Sequence, residues 1–236
     1  MSKKSVFCYN FRNSAANASG LVGVFQPIRL PHPSAFSLEF LKFRDASLAR
    51  VLIAYLISAV LGWLSAVLFY RGRRALIVLP LFDVLQSFPA FSALPLAVIF
   101  WGRSNFTIIV FLVIAIIWPI FFSIISSLKL IRRDWEEAVE MSGLSGIRYL
   151  THFLIPVSAP GLVTGSIIGL GEGWEALVAT EIIVSPHRGL GEFFGAFAHD
   201  PVITGFGVLG VLLLIFSINK LIWLPLLERG HRMMEE

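Results

Sequence analysis

Three carboxylates stand inside apolar stretches of this chain, Asp83, Glu172 and Glu175, and a fourth, Glu181, stands just after one. Paired acids can move protons to and from a reacting group, and acids joined by histidines can hold a metal ion. The spacing fits neither chemistry. Glu172, Glu175 and Glu181 are three and then six residues apart, and His187 and His199 fall in a separate polar stretch. No metal-ligand pattern results, so a solvated or gating role is expected and no catalytic residue is assigned. Asp83 is a charge in an apolar run, where a bare carboxylate is costly. It is expected either to face a polar path or to reach water near a helix end. Ser123, Ser126 and Ser127 form a polar patch that can bond between helices or border a path. Gly189-Leu190-Gly191 reads as a turn rather than a ligand cradle.

The longest polar segment between apolar runs is 129–156, which must sit in water although both of its ends lead into apolar elements. Asp134 is expected to cap a short helix, and Glu137 follows at the capping-box spacing. Both acids suit the positive end of a helix dipole. Ala138 and Met141 share one helical face. Gly143 is placed to end the helix in a left-handed conformation. Ser145 is expected to open a second short helix through Arg148 and Tyr149, and Pro156 and Pro160 to stiffen the return into the apolar phase. The expected product is a short rigid helix clear of the bilayer, shaped for a groove on a partner. The rival reading is an amphipathic linker lying on the membrane surface.

Composition says what holds these residues in place. Of 236 residues, 56% are hydrophobic and 14% charged, and the mean hydropathy is +0.80. Soluble domains carry about 25% charged residues. The expected fold class is therefore an all-α integral membrane protein with about five transmembrane helices. The net charge of +4 is spread over loops, which reads as membrane topology and not as a nucleic-acid patch. A single cysteine, Cys8, excludes an intrachain disulfide. The start of the chain has no apolar region long enough for a secretory signal.

Five spans are expected: 48–70, 75–101, 105–128, 157–179 and 202–227. Each is long enough to cross roughly 30 Å of hydrocarbon. Pro80, Pro89 and Pro95 must kink or break the second span, and Pro119 lies in the third. The fourth carries Gly161, Gly165, Gly169, Gly171 and Gly173, which permit close helix packing. Thr180 to Pro201 is read as a hydrophilic connection. Residues 1–46 are read as an extension without a span, 47–228 as the transmembrane domain and 229–236 as a charged tail. With the 129–156 loop inside, Arg71–Arg74, Arg229 and Arg232 are inside, whereas Arg103 and Arg188 are outside, in keeping with the positive-inside rule. The basic residues of 1–46 break that pattern, because five spans place them outside. The aromatic residues Phe88, Phe91, Phe100, Trp101 and Phe106 suit interfacial anchoring.

The loop reads Glu137-Ala138-Val139, three residues, Gly143, nine residues, then Phe153-Leu154-Ile155-Pro156. This resembles the EAA motif of ABC importer permeases, with conservative departures at Val139, Phe153 and Ile155. Ser47-Leu48-x-Arg50, Gly62, Pro89, Pro95-Leu96 and Trp101-Gly102 extend the likeness before the loop. Gly165, Trp174, Glu181 and Gly189-Leu190-Gly191 extend it afterwards. The succession resembles the nitrate/sulfonate/taurine branch, with a type I transmembrane core, over about 46–228. The resemblance implies a multi-pass inner (plasma) membrane protein with a cytoplasmic C-terminus and no cofactor. It implies three kinds of protein partner: a cytoplasmic ABC ATPase dimer, a second permease copy or paralogue, and an extracytoplasmic solute-binding protein. Asp134, Glu137, Ala138, Val139, Met141, Gly143 and Pro156 would couple to the ATPase. Asp83, Ser123 and Glu181 are the candidate pathway residues, and the cargo would be a small anion. The chain has no G-x-x-x-x-G-K-[ST] pattern, so hydrolysis is expected in a partner. The competing classes are an integral-membrane enzyme and a transporter or channel acting alone.

Overall fold

The computed structural model describes residues 33–184, 189–223 and 225. Expectations attached to 1–32, to His187 and Arg188 and to the tail 229–236 lie outside the described residues. The elements are helical throughout the described chain. They are α1 (Pro33–Phe69), α2 (Gly72–Gln86), a 3-10 turn (Ala90–Ala93), α3 (Leu94–Trp101), α4 (Asn105–Lys129), α5 (Arg133–Met141) and α6 (Gly146–Tyr149). A π turn (Leu150–Leu154), α7 (Ile155–Val184), α8 (Leu190–Ala196), α9 (Pro201–Ile218) and a second π turn (Asn219–Trp223) complete the order.

The breaks have local causes. Pro89 precedes the 3-10 turn, and Pro95 sits in the first turn of α3, where a missing N–H removes no helical bond. The two arms of this prolyl segment meet at 66°. Ser104 caps α4 by accepting from the Thr107 N–H at 3.3 Å. Asp200 caps α9, accepting from Val202 and Ile203 at 3.0 and 3.2 Å.

Three boundaries differ from expectation. The first helix already runs from Pro33, so position 46 is not a structural break. The fourth span extends unbroken from Gly146 to Val184. The expected second short helix is the start of this element, and the expected hydrophilic connection begins only after Val184. The π turn stands directly before Pro156, where a local adjustment satisfies the backbone group that a proline orphans.

Among the described residues four helices are long and apolar enough to cross a membrane, or five if the bent pair is one span. Cross-contacts place the two ends of the bent pair at opposite ends of the molecule. Arg71, just before α2, pairs with Glu136 of α5. At the opposite end of the molecule, Arg50 of α1 donates to Asn105, the first residue of α4, at 3.0 Å. The bent segment therefore begins at the α5 end and finishes at the other.

The centre of the molecule is the seam between α4 and α7. In lipid no hydrophobic force draws helices together, so close packing and hydrogen bonds must do so. Gly161, Gly165, Gly169 and Gly173 recur every fourth residue on the α4-facing side of α7. A Cβ at Gly165 would stand 2.6 Å from the Ile120 Cα, and one at Gly161 would stand 2.6 Å from the Ser123 carbonyl oxygen. The seam buries Ile116, Ile120 and Ile124. On its other flank α1 is tied to α7 by Trp63 donating to Ser158 at 2.8 Å and by a Tyr55–Ser166 bond at 3.0 Å. Such bonds contribute about 0.6 kcal/mol each in a membrane. Outward-facing apolar side chains such as Leu56, Leu76, Ile77 and Ile99 are largely exposed, as contact with lipid requires.

Candidate functional site

Helix α5 projects between the ends of α4 and α7. Its N-cap is Arg132, not Asp134, and no side chain caps it. Asp134 instead takes two bonds from Arg132, at 3.1 and 2.8 Å. Glu137 accepts from Arg133 at 3.1 Å, one turn back. The capping-box expectation fails because charge-assisted pairs with the adjacent arginines occupy both carboxylates. Asp134 and Glu136 do stand in the first turn, where the helix dipole favours them. At the other end the expectation holds: Gly143 has φ +70°, and its N–H reaches the Glu140 carbonyl at 3.1 Å. Ser145 occupies the next N-cap without a side-chain bond.

The outer face of this loop is unusual in being apolar as well as charged. Met141 is 89% exposed, Leu130 80% and Ile147 71%. Ala138 and Gly143 are exposed too, whereas Val139 turns inward onto the core. Leu130, Met141 and Ile147 come from the end of α4, the end of α5 and α6 respectively. Two inward ties hold the loop in place. Arg71 pairs with Glu136, and the Tyr70 and Tyr149 hydroxyls lie 3.3 Å apart.

A second feature runs along the face of α4. Three cavities of about 270, 510 and 290 Å³ follow one another toward the α5 end. The first two share Gln86, Trp118 and Glu172. The second and third share Phe122 and Ser123. From Phe111 to Leu130 the column covers about 28 Å at 1.5 Å per residue, close to the thickness of the hydrocarbon core. Polar side chains punctuate it: Gln86, Ser87, Glu172, Ser123, Ser126, Ser127 and Thr164.

The candidate pathway residues divide. Ser123 borders the column. Asp83 borders none of the three cavities; its carboxylate accepts from the Gln86 amide at 2.7 Å and so orients a side chain that does. Glu181 lies elsewhere, fully buried. It accepts from Arg50 at 2.5 Å, from the Ser47 hydroxyl at 2.9 Å and from the Gly191 N–H at 2.9 Å. Ser47 also accepts from the Leu190 N–H at 2.8 Å. A Cβ at Gly191 would fall 2.3 Å from the Glu181 Cβ, which accounts for glycine there. This arrangement fixes α8 to α1 and α7 rather than bordering an opening.

Sequence reasoning passed over Gln86, Trp118 and Glu172 as column residues. Their signal was present in part: Thr164, Ile168 and Glu172 recur every four residues and so share one helical face. Arg71 and Glu136 were passed over as well, because an ion pair between two segments far apart in the sequence leaves no local pattern.

The binding-protein-dependent transport system inner membrane component family matches residues 58–229. The chain is 29% identical to the taurine transport system permease protein TauC of Escherichia coli, over 83% of this chain and 78% of that protein. It is 28% identical to the bicarbonate transport system permease protein CmpB of Synechococcus elongatus, over 63% of this chain and 54% of that protein. With the nitrate import permease protein NrtB of Synechocystis it shares 29% identity, over 59% and 51%. The matched region thus spans most of the taurine permease but only about half the length of the other two. The chain is a multi-pass membrane protein and belongs to the family of binding-protein-dependent transport system inner membrane components.

Proposed function

We propose that this chain is the membrane-spanning subunit of an ATP-driven importer, working beside a second permease copy or paralogue. In this reading α5 is a coupling helix that docks on a cytoplasmic ATPase, and a solute-binding protein delivers cargo at the opposite face. The C-terminus and the 129–156 loop are cytoplasmic. Hydrolysis belongs to the ATPase. The cargo is small, of the nitrate, sulfonate or taurine type, and moves along the α4 column once the partner permease closes its open side.

The observation that carries the reading is the exposed face of α5. Met141 and Ala138 of α5, and Gly143 just beyond its end, are exposed rather than packed on the protein's own core. Ala138 permits close approach, Met141 supplies apolar contact, and Asp134 and Glu137 add charge at the rim. Gly143 sets the turn, and Pro156 follows the π turn that returns the chain to the membrane.

The test is capture of the cytoplasmic ATPase from the protein's own source by detergent-solubilised chain. Met141→Asp is the informative variant, because a side chain 89% exposed contributes little to the fold. Gly143→Asp is the companion. Wild type should retain the ATPase and both variants should lose it, with elution profiles unchanged. Capture unaffected by both substitutions, or no capture by wild type, would remove the coupling assignment.

A further inference from the structure

We propose that the groove between α1 and α7 binds a phospholipid of the cytoplasmic leaflet that carries an anionic headgroup. The choice of leaflet rests on the orientation proposed above, with the 129–156 loop inside; the site itself does not.

Helix α1 and the continuous element 146–184 are tied at three levels: Tyr55 to Ser166 at 3.0 Å, Trp63 to Ser158 at 2.8 Å and Tyr70 to Tyr149 at 3.3 Å. The numbers rise on one helix as they fall on the other, so the two run antiparallel. Between the first and last ties lies a cavity of about 380 Å³. Ala59, Val60 and Leu64 line it from α1, and Ile155, Ala159 and Leu162 from α7. Its two polar side chains are already satisfied: Trp63 donates to Ser158, which donates to the Ile155 carbonyl at 3.0 Å. The lining therefore offers hydrocarbon and no free polar side chain, which suits an acyl chain. From Ala59 to Arg71 is about 18 Å at 1.5 Å per residue, a little more than half of the roughly 30 Å hydrocarbon core. The groove is thus one leaflet deep.

The end of the groove is one-sided in charge. Segments 66–76 and 144–160 contain Arg71, Arg73, Arg74, Arg148 and His152, and no Asp or Glu. Arg71 is committed to Glu136. Arg73 and Arg148 are exposed and enter no ion pair among the described residues. Basic side chains at the cytoplasmic end of a cleft between spans hold anionic lipid headgroups, and a guanidinium meets a phosphate with paired donors. The topology rule asks only for positive charge at this face; it does not ask for an apolar groove behind it. A second permease copy fits less well. Ile155 of the groove and Thr164 of the column are about two and a half turns apart on α7, so they stand on opposite sides of that helix. A copy that closes the column leaves the groove facing lipid.

The experiment titrates the full chain, purified in mild detergent, with two lipids of identical acyl chains, phosphatidylglycerol and phosphatidylcholine, and counts bound lipid by native mass spectrometry. Wild type should retain phosphatidylglycerol at least about tenfold better than phosphatidylcholine, the scale of one hydrogen bond to a charged group. Arg73→Gln and Arg148→Gln together should abolish that preference. Arg103→Gln, which removes a charge at the opposite end of the molecule, should leave it unchanged. Ala159→Phe fills the groove and should lower retention of both lipids. Equal retention of the two lipids by wild type, no retention of either, a preference that survives the paired substitution or is lost in Arg103→Gln, or unchanged retention in Ala159→Phe overturns the assignment. So does a lipid-free dimer of the chain that Ala159→Phe disperses, which would give the groove to a second copy. The measurement needs no ATPase. Failure of ATPase capture therefore removes the leaflet assignment and leaves a retained anionic lipid standing.

Discussion

Replacing Arg50 by methionine would strand a carboxylate in the most enclosed place the described structure offers. Glu181 is fully buried, and Arg50 is its charged partner at 2.5 Å. The variant leaves it two neutral donors, Ser47 and the Gly191 N–H. Removing one member of a buried pair costs about 3–5 kcal/mol. Glu181→Leu removes the carboxylate partner of Arg50, which keeps its bond to Asn105, at a cost of up to about 3–5 kcal/mol. With both changes no charge is left unpaired. What remains buried is the Ser47 hydroxyl and the Gly191 N–H without their acceptor, at about 1–3 kcal/mol each, while Asn105, which loses Arg50, is exposed to solvent. The double variant should therefore lose about 2–6 kcal/mol, below the roughly 6–10 kcal/mol sum of the two singles. Unfolding in mixed micelles of mild detergent and dodecyl sulfate, followed by tryptophan fluorescence, measures all three. The chain has 6 tryptophans, and Trp174 is buried two turns before Glu181 on the same helix. Amide exchange at 190–196 gives a local readout, because Leu190 and Gly191 are held by this same cluster. If the single costs add to within about 0.5 kcal/mol, the pair is not coupled and the account of how α8 is anchored is wrong.

Two further substitutions test the seam and the loop. Gly165→Leu places a side chain where a Cβ alone would be 2.6 Å from the Ile120 Cα; overpacking of about 1–3 kcal/mol or more should appear as loss of a monodisperse elution peak. Gly171→Leu, where nothing lies within 4 Å of an added Cβ, should elute as wild type. Arg71→Ala breaks a pair whose side chains are 47% and 35% exposed, so the stability loss should stay under about 1 kcal/mol. In the proposed importer it should nonetheless uncouple hydrolysis from transport in proteoliposomes, and Arg71→Glu combined with Glu136→Arg should restore coupling.

Much of the architecture was legible because membrane solvation leaves few choices. An apolar run as long as 105–128 must be a spanning helix, and Pro89 with Pro95 must break the second span. Gly143 announced the end of α5 because few other residues accept a positive φ. The start of α5 was misread for an equally physical reason. Asp134 is a good cap in isolation, but Arg132 and Arg133 claim the acids, and a propensity scale does not see that competition. The far end of α7 was misread because Glu181 looks like a solvent-exposed residue until Arg50 is brought beside it. That partner lies 131 residues away, and no local pattern encodes it. Only the Ser123 side of the column was legible, for a related reason: Gln86, Glu172 and Ser123 come from three different helices, and only the seam aligns them.

The position of α5 relative to that seam bears on how hydrolysis could reach the column. The loop is inserted between α4 and α7, the two helices in closest contact, whose glycine-lined surface leaves no room for one to slide independently. Both helices contribute column residues, Ser123 from α4 and Glu172 from α7. A displacement of α5 is thus delivered to two walls of the column together, as movement of one packed unit. The Arg71–Glu136 pair adds α2 to the same linkage, and α2 carries Gln86. Every element that lines the central cavity is therefore mechanically connected to the helix that the proposed ATPase would push. A loop bound to only one of these helices would move one wall against another and shear the Glu172–Gln86–Ser123 grouping. The arrangement instead favours opening and closing the column against the partner permease, with the grouping carried along intact.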